Sequence, residues 1–189
     1  TLLPAILVER AVYPHLGEAK TLADVEAARE ALERAYHDAG YLTALVAIPP
    51  QKVEDRVVRL TVTEAPVSRL RVVESRYYSL GQIKAAAPEL AEGTVPHFPT
   101  LQKQLAELGR APDRRITPLL RPGRTPGTVE VDLKVKDELP LHGELELNDR
   151  SSQDTTRTRL NFNARWDNLW QRQHGLGLSL QTAPENPDE

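Results

Sequence analysis

Neither cysteine nor methionine occurs among the 189 residues of the sequence. The lack of cysteine excludes disulfides, thiolate metal sites and a cysteine nucleophile, and it leaves the redox compartment open. Because the sequence starts at Thr1 without an initiator methionine, we expect it to begin inside a larger protein. No apolar run approaches the roughly 20 residues of a membrane-spanning helix, and no basic start followed by an apolar run predicts a signal peptide.

A strong excess of charge of one sign is also missing. The chain has 24 basic and 27 acidic residues, for a net charge of −3, and both signs are mixed along its length. Such a chain lacks the overall field that attracts nucleic acid or an anionic membrane surface. We therefore expect no nucleic-acid partner.

Motifs for catalysis are absent from the sequence as well. It has no phosphate-binding glycine loop and no nucleophile elbow, and its five histidines show no metal-ligand spacing. Glu26, Glu30 and Glu33 fall on the polar side of a predicted helix, which is typical of a solvated face rather than of paired general acids. The sequence predicts neither an enzyme nor a catalytic, metal, cofactor or small-molecule site.

The spacing of apolar residues changes early in the chain from a strand pattern to a helix pattern. Ile6 to Val12 is a strand-like apolar run, whereas apolar residues between Thr21 and Ala39 repeat every three or four positions. The repeating residues are Val25, Ala28, Leu32, Ala35 and Ala39. They predict one buried stripe on a helix, with Thr21 as its N-cap and Gly40 as its left-handed end.

Two segments with strand periodicity follow this helix. Thr43 to Ile48 and Arg56 to Thr63 predict strands, and apolar and polar residues alternate strictly from Val58 to Thr63. Alternation of this kind places one face of a sheet on the helix and the other in water. The unit is therefore predicted as strand, helix, strand, strand, and we assign it to residues 1–65.

The same unit recurs later in the chain at a fixed interval. Leu133 follows Leu60 by 73 residues, and Leu105 follows Leu32 by the same distance. A constant register over this span predicts a duplicated fold, which we assign to residues 66–138. Its opening strand, short helix, longer helix and two closing strands are predicted at Arg69–Val73, Leu80–Ala87, Thr100–Leu108, Arg115–Arg121 and Thr128–Lys136.

Helical periodicity then stops, and three alternating segments occupy residues 139–189. A long polar loop from Asp149 to Thr156 and a short turn from Asn168 to Gln173 separate them. Their length suits membrane-crossing strands, which need about 9–11 residues. The segment is predicted to start a transmembrane β-barrel, although a sheet in a soluble third domain would alternate too.

Alternate residues of the middle segment would face opposite sides of such a barrel. The positions expected to face the lumen are Arg159, Asn161, Asn163, Arg165 and Asp167. Charges that face water cost little, whereas an arginine in lipid costs about 2–4 kcal/mol. Trp166 and Trp170 share the parity of the apolar residues, which predicts an interfacial girdle; the alternative is two core tryptophans of a soluble domain.

Several short segments resemble a known family. Ala11–Gly17, Tyr36–Tyr41, Ile48–Gln51 and Val57–Leu60 resemble the first polypeptide-transport-associated (POTRA) domain of two-partner secretion transporters of the haemolysin-activator and filamentous-haemagglutinin type. Arg76–Ser79 and Asp113–Gly123 resemble the second POTRA domain of that family, and Asp167–Trp170 followed by His174 resembles its first barrel turn. The resemblance covers essentially the whole chain.

This resemblance implies an α+β protein with two tandem POTRA domains followed by the first antiparallel strands of a transmembrane β-barrel. Each POTRA domain would have the order β-α-α-β-β, with helices packed on a three-stranded sheet. The implied protein is a bacterial outer-membrane pore of the Omp85 superfamily, with its POTRA domains in the periplasm, that exports one unfolded partner exoprotein. Its expected partners are that exoprotein and outer-membrane lipid. Two alternatives stay open, an Omp85-type assembly factor for other outer-membrane proteins and a soluble periplasmic protein-binding adaptor.

The backbone of an unfolded client suggests where it would dock. Its unpaired N–H and C=O groups can pair with an exposed strand edge, which is β-augmentation. Pro118 has no N–H and predicts an edge strand, whereas its counterpart 73 residues earlier, Leu45, keeps its donor. We therefore predict client docking on the first unit's strand, at Thr43, Ala44, Leu45, Val46, Ala47 and Ile48.

Two further features near these strands have alternative interpretations. Pro49 and Pro50 predict a rigid turn, in which Gln51 is either structural or in direct contact with the client. A basic cluster in the second unit is either a solvated face or a surface that steers an acidic client or lies near lipid head groups. Its members are Arg110, Arg114, Arg115, Arg121 and Arg124.

Overall fold

The computed structural model describes residues 1–53, 56–149 and 158–184. The chain folds as two modules of helices packed on a sheet, followed by an antiparallel three-stranded sheet. The predicted polar loop from Asp149 to Thr156 lies, apart from Asp149, outside the described residues. None of the helices in the described ranges has the length and apolar character needed to cross a membrane.

The first module has two helices and a short antiparallel sheet. Helix α1 spans Ala5–Val12 and helix α2 spans Leu22–Asp38, with a 3-10 turn after α1. Strands β1 (Leu45–Ala47) and β2 (Thr61–Thr63) pair so that Val46 lies opposite Val62. Both strands lie within the predicted ones but are shorter.

The predicted strand from Ile6 to Val12 is wrong, because this segment is helix α1. Val8, Ala11 and Val12 pack against the core of the first module, and this spacing is helical. Ile6 is left 68% exposed. Glu9 and Arg10 interrupt the apolar run at the positions that a helix directs away from the core.

Helix α2 confirms the predicted stripe and both predicted ends. The backbone N–H of Thr21 donates to the Asp24 carboxylate at 2.8 Å, and Gly40 has a φ of +91° just beyond the helix. Ala28 and Leu32 are buried on the stripe, and Tyr36 is fully buried beside them. Burial and the Glu64 carboxylate, which accepts from the Tyr36 hydroxyl at 3.2 Å, raise the pKa of Tyr36 to about 12.

The second module follows the predicted order of elements. It contains β3 (Val67–Val73), α3 (Leu80–Ala85), α4 (Phe98–Leu108), β4 (Arg114–Pro122) and β5 (Val129–Asp137). The sheet order is β3-β5-β4, with β5 parallel to β3 and antiparallel to β4. Strand β4 is therefore an edge strand, as Pro118 predicts.

Helices and sheet enclose a larger core in the second module than in the first. Its buried residues are Val67, Leu70, Tyr78, Ile83, Ala87, Leu90, Leu101, Leu108, Val131, Leu133 and Val135. On the opposite face of the sheet, the buried Asp132 carboxylate on β5 accepts two hydrogen bonds from Arg71 on β3, at 2.7 and 2.9 Å. It also pairs with Arg121 on β4, so one carboxylate joins all three strands.

The last sheet contains β6 (Leu141–Asn148), β7 (Arg159–Leu169) and β8 (His174–Thr182). All pairs are antiparallel, with β7 in the centre. Phe162 lies opposite Leu145 on one side and Leu180 on the other, so the apolar residues of the three strands share one face.

The two modules meet at the C-terminal end of α2. The Gly40 carbonyl accepts a hydrogen bond from the Phe98 N–H at 2.9 Å, and the rings of Tyr41 and His97 lie 5.4 Å apart. A Cβ atom on Gly40 would lie 2.7 Å from Pro99 and 2.9 Å from His97. The close approach of the modules therefore requires glycine at this position.

We expect Gly40→Ala to weaken the joint between the modules. The positive φ alone costs alanine about 1–2 kcal/mol, and crowding against His97 and Pro99 adds about 1 kcal/mol or more. Gly93→Ala is the matched control, because Gly93 has a φ of +90° but no atom within 4 Å of the added Cβ. Thermal unfolding of both variants measures the difference, and equal losses would contradict a crowded joint.

The exposed apolar face of β6–β8 leads to a second prediction. Leu145 is 68% exposed, and most of its apolar neighbours on that face are exposed as well, so water contacts a continuous apolar surface. We expect residues 1–138 to remain monomeric in buffer and the 189-residue chain to associate until a detergent covers this face. Light scattering after gel filtration checks this, and a monodisperse full chain in plain buffer would refute it.

Candidate functional site

The outer edge of β1 is occupied by side chains of α2. The Val46 N–H donates to the Glu33 carboxylate at 3.1 Å, and the Val46 carbonyl accepts from Arg29 at 3.4 Å. The imidazole Nε2 of His37 lies 3.2 Å from the Ala44 carbonyl. These three side chains are four residues apart on one face of α2, so they follow the strand edge as a row of hydrogen-bonding groups. We call Arg29, Glu33 and His37 the edge row.

The edge row imitates a neighbouring strand. It supplies an acceptor to the outward N–H of Val46 and donors to the outward carbonyls, which is what a paired strand would provide. Arg29 is held in place by Glu26 at 2.6 Å and by Glu33 at 2.9 Å. Side chains can rotate away, however, so this closure of the edge is reversible in a way that backbone pairing is not.

The free edge of β4 is protected differently. At the two ends of this strand pair, the Gly123 N–H donates to the Thr128 carbonyl and the Glu138 N–H donates to the Asp113 carbonyl. Because alternate residues of an antiparallel pair bond to the partner strand, the odd-numbered residues of β4 bond to β5 and the even-numbered ones point their backbone groups outward. Pro118 therefore faces outward and leaves a gap in the row of donors on this edge. A strand added here would lose a hydrogen bond at its centre.

The structure corrects the assignment of Leu45 as the counterpart of Pro118. Pro118 lies opposite Leu133, and the first-module equivalent of Leu133 is Leu60. Ala47 already pairs with Thr61, so Ile48 is the residue that falls next to Leu60. The 73-residue register holds for the helix and the last strand but not for β1, because the connections between the closing strands differ in length.

The predicted docking residues therefore differ in accessibility. The side chains of Ala44 and Val46 are buried against the helices, whereas Leu45 is 58% exposed and Ala47 is exposed. Thr43 and Ile48 flank the strand and are partly buried. The Gln51 side chain donates to the Arg59 carbonyl and accepts from the Arg59 N–H, both at 2.8 Å, so it pairs with backbone as a strand residue would.

The five predicted lumen residues are carried by β7. Arg159, Asn161, Asn163 and Arg165 lie at alternate positions opposite polar partners, and Asn163 accepts from Ser179 at 2.7 Å. Asp167 lies beyond them at a register shift and pairs with Arg165 at 2.9 Å. Their position on one polar face agrees with a water-filled side, which stays a prediction.

The two tryptophans of the predicted girdle have different surroundings. Trp166 lies on β7 between Leu141 and Leu176, on the apolar face. Trp170 lies beyond the register shift, in the turn before β8, with a φ of +55° and 75% exposure. The alternation of the strand therefore does not place Trp170 on the apolar face, although both tryptophans are near the same end of the sheet.

That turn docks on the second module, where two of the segments that resemble the family meet. The Gln171 side chain donates to the Tyr77 carbonyl at 2.8 Å and accepts from the Ser79 N–H at 2.9 Å. Asn168 is buried and donates to the same Gln171 oxygen at 3.0 Å. The β7–β8 turn is therefore bonded to the segment between β3 and α3.

Asp137 organises this segment from the end of β5. Its carboxylate accepts from the Ser75 hydroxyl at 2.8 Å and from the backbone N–H groups of Arg76 and Tyr77. Burial acts to raise the pKa of Asp137, but these hydrogen bonds outweigh burial and hold it below its usual range. The sequence alone does not reveal this role, because the carboxylate and its partners are about 60 residues apart.

Arg114 is a buried member of the predicted basic cluster. Its Nε donates to the Leu108 carbonyl at 2.8 Å, and its guanidinium carbon lies 4.5 Å from the centre of the Tyr78 ring. Burial lowers the pKa of Arg114. Arg110, Arg121 and Arg124 each pair with a different acidic residue, so the five arginines are not one uniform charged patch.

Comparisons with known proteins bear on this arrangement. Residues 1–65 match the family model of the POTRA domain, ShlB-type. CdiB from Escherichia coli is similar with a TM-score of 0.77 and 19% identity, over 98% of this chain and 34% of that one. CdiB from Acinetobacter baumannii has a TM-score of 0.65 and 17% identity, over 92% of this chain and 34% of that one. POTRA1-3 of the periplasmic domain of Omp85 from Anabaena has a TM-score of 0.63 and 26% identity, over 73% and 60% of the two chains.

The family model and the solved structures support different statements about the chain. The family model confirms the resemblance to ShlB-type POTRA domains for residues 1–65. The solved structures show a shared α+β fold, and the chain spans about a third of the length of either CdiB. No curated relative matches the chain.

We expect Asp137→Asn to destabilise the second module by about 1 kcal/mol at neutral pH. The folded pKa is lowered, so this stability is present above the unfolded pKa of about 3.9 and is lost as the pH falls through the folded pKa. The difference between wild type and variant should therefore shrink towards pH 3. Urea unfolding at pH 7 and pH 3 checks this, with Asp38→Asn as the control for loss of a charge. A difference independent of pH would contradict it.

Proposed function

We propose that this chain, whose first 65 residues match the ShlB-type POTRA domain, is part of an outer-membrane transporter of a two-partner secretion system. Its POTRA modules lie in the periplasm and capture the unfolded partner exoprotein. Strands β6–β8 belong to the barrel through which the exoprotein is exported. The activity is transport of a polypeptide rather than catalysis.

One observation carries this proposal, namely the two-faced sheet that directly follows the second module. Its apolar residues are exposed together on one face, while asparagine, glutamate and arginine occupy the other. A soluble adaptor would bury that apolar face in its own core, whereas a barrel wall turns it towards lipid. The arrangement therefore favours a membrane transporter over a periplasmic adaptor.

Client capture takes place at the outer edge of β1. An incoming extended segment offers backbone N–H and C=O groups in the spacing that Val46 requires, and it displaces the edge row as it pairs. Loss of the side-chain bonds to Val46 is offset by new backbone bonds, so affinity depends little on the sequence of the client. An unfolded exoprotein is a suitable partner for such a site.

The β4 edge is a poorer site for the same reaction. Pro118 removes a donor from the centre of that edge, and no rotation can restore it. The edge row on β1, in contrast, releases its donors and acceptors intact. This difference supports the predicted preference for the first module.

We expect a photocrosslinking amino acid at Leu45 or Ala47 to capture the unfolded partner exoprotein more efficiently than one at Thr117 or Leu119. All four positions are exposed edge-strand residues, so labelling and folding are matched. Crosslinked product on gels is the measurement. Preferential capture from Thr117 and Leu119 would reverse the assignment of the docking edge, and capture from none of the four would refute augmentation.

The same crosslinking measurement tests whether the client displaces the edge row. Glu33→Ala removes the competitor for the Val46 N–H, and a hydrogen bond worth about 1 kcal/mol corresponds to about fivefold tighter client binding. Glu30→Ala is the control, because its carboxylate pairs with Arg29 at 3.6 Å on the same helix rather than with β1. Weaker capture by Glu33→Ala would contradict displacement.

A further inference from the structure

Three potential metal ligands converge where the second module meets the last sheet. The Nε2 atom of His142 lies 2.9 Å from an Asp113 carboxylate oxygen and 3.6 Å from one of Asp167. One ligand atom from each of the three residues lies within 4.8 Å of the others. His142 is on β6, Asp167 is on β7, and Asp113 immediately precedes β4.

The surroundings restrict these side chains. The Asp113 side chain is only 5% exposed, and its backbone carbonyl is bonded to Glu138. Arg165 donates to Asp167 at 2.9 Å and fixes that carboxylate. With a neutral imidazole, the two aspartates and Arg165 leave one net negative charge, which favours a cation over an anion.

A second feature is related to the cluster through Arg114, the residue after Asp113, whose guanidinium carbon lies 4.5 Å from the centre of the Tyr78 ring. The hydroxyl of Tyr78 is buried and has no hydrogen-bond partner among the described residues. Burial raises the pKa of Tyr78, and the carboxylates of Asp113 and Asp167 act in the same direction, whereas Arg114 acts against them. A buried hydroxyl without a partner is costly, and a water molecule on a bound ion would supply one.

We propose that Asp113, His142 and Asp167 bind a divalent transition-metal ion of the Zn²⁺ type. One imidazole nitrogen and two carboxylate oxygens suit such an ion, which takes nitrogen and oxygen ligands at about 2.0–2.2 Å and leaves a fourth position for water. The three ligand atoms lie within 4.8 Å of one another, so rotation of the side chains would close them on one ion. Asp113 belongs to the second module and the other two ligands to the last sheet, so the ion ties these parts of the chain together.

Cobalt(II) is the probe for this site, because its visible absorption reports coordination by protein ligands. We expect the detergent-held 189-residue chain to bind one Co²⁺ with an intense band that differs from that of the hydrated ion, and Zn²⁺ to displace it. His142→Gln keeps a hydrogen-bond donor near Asp113 but removes the imidazole ligand. It should weaken Co²⁺ binding at least about tenfold, and His174→Ala should leave it unchanged.

The variants separate a metal site from a simple hydrogen bond. If His142 only bridges the two carboxylates, the wild-type chain will show no protein-coordinated Co²⁺ band, which overturns the proposal. Equal binding by wild type and His142→Gln would place the ion elsewhere and overturn it as well. Asp113→Asn provides a second test with little change of shape, and circular dichroism confirms that each variant folds. None of these outcomes depends on the proposed transport function.

Discussion

Pairing of the backbone groups at strand edges is the constraint on which this structure depends. An edge strand presents a row of N–H and C=O groups, which attract other strands when exposed and cost free energy when buried unpaired. The strand edges of the described residues stand in three different situations. Side chains of α2 cover β1, Pro118 interrupts β4, and β6 and β8 have β7 as their one strand partner.

These three arrangements differ in how easily another strand could pair with the edge. Pro118 permanently removes one donor from its edge, whereas Arg29, Glu33 and His37 cover theirs only while their rotamers persist. The outer edges of β6 and β8 have no strand partner among the described residues, and in the proposed barrel further strands would pair with them. For the proposed capture of an unfolded polypeptide, one edge that can open and another with a fixed gap would direct the client to the first module.

Sequence periodicity was sufficient for most elements and failed where a contact between distant segments decided the outcome. Helix α2 and all five elements of the second module follow from spacing, because each buries one regular stripe or face. The run from Ile6 to Val12 was too short to separate strand from helix. The convergence of Asp113, His142 and Asp167 joins three separate segments of the chain, which the spacing within any one segment cannot show. Similarly, nothing in the pattern of basic residues showed that Arg114 is buried.

The carboxylate of Asp132 has a mechanical consequence. In the proposed export, a polypeptide drawn towards a pore would exert tension on the modules that hold it. Arg71 on β3 and Arg121 on β4 both form ion pairs with the buried Asp132 on β5. Either outer strand can therefore slide past β5 only by breaking an ion pair with a buried charge. The second module is therefore built to yield as a unit rather than strand by strand.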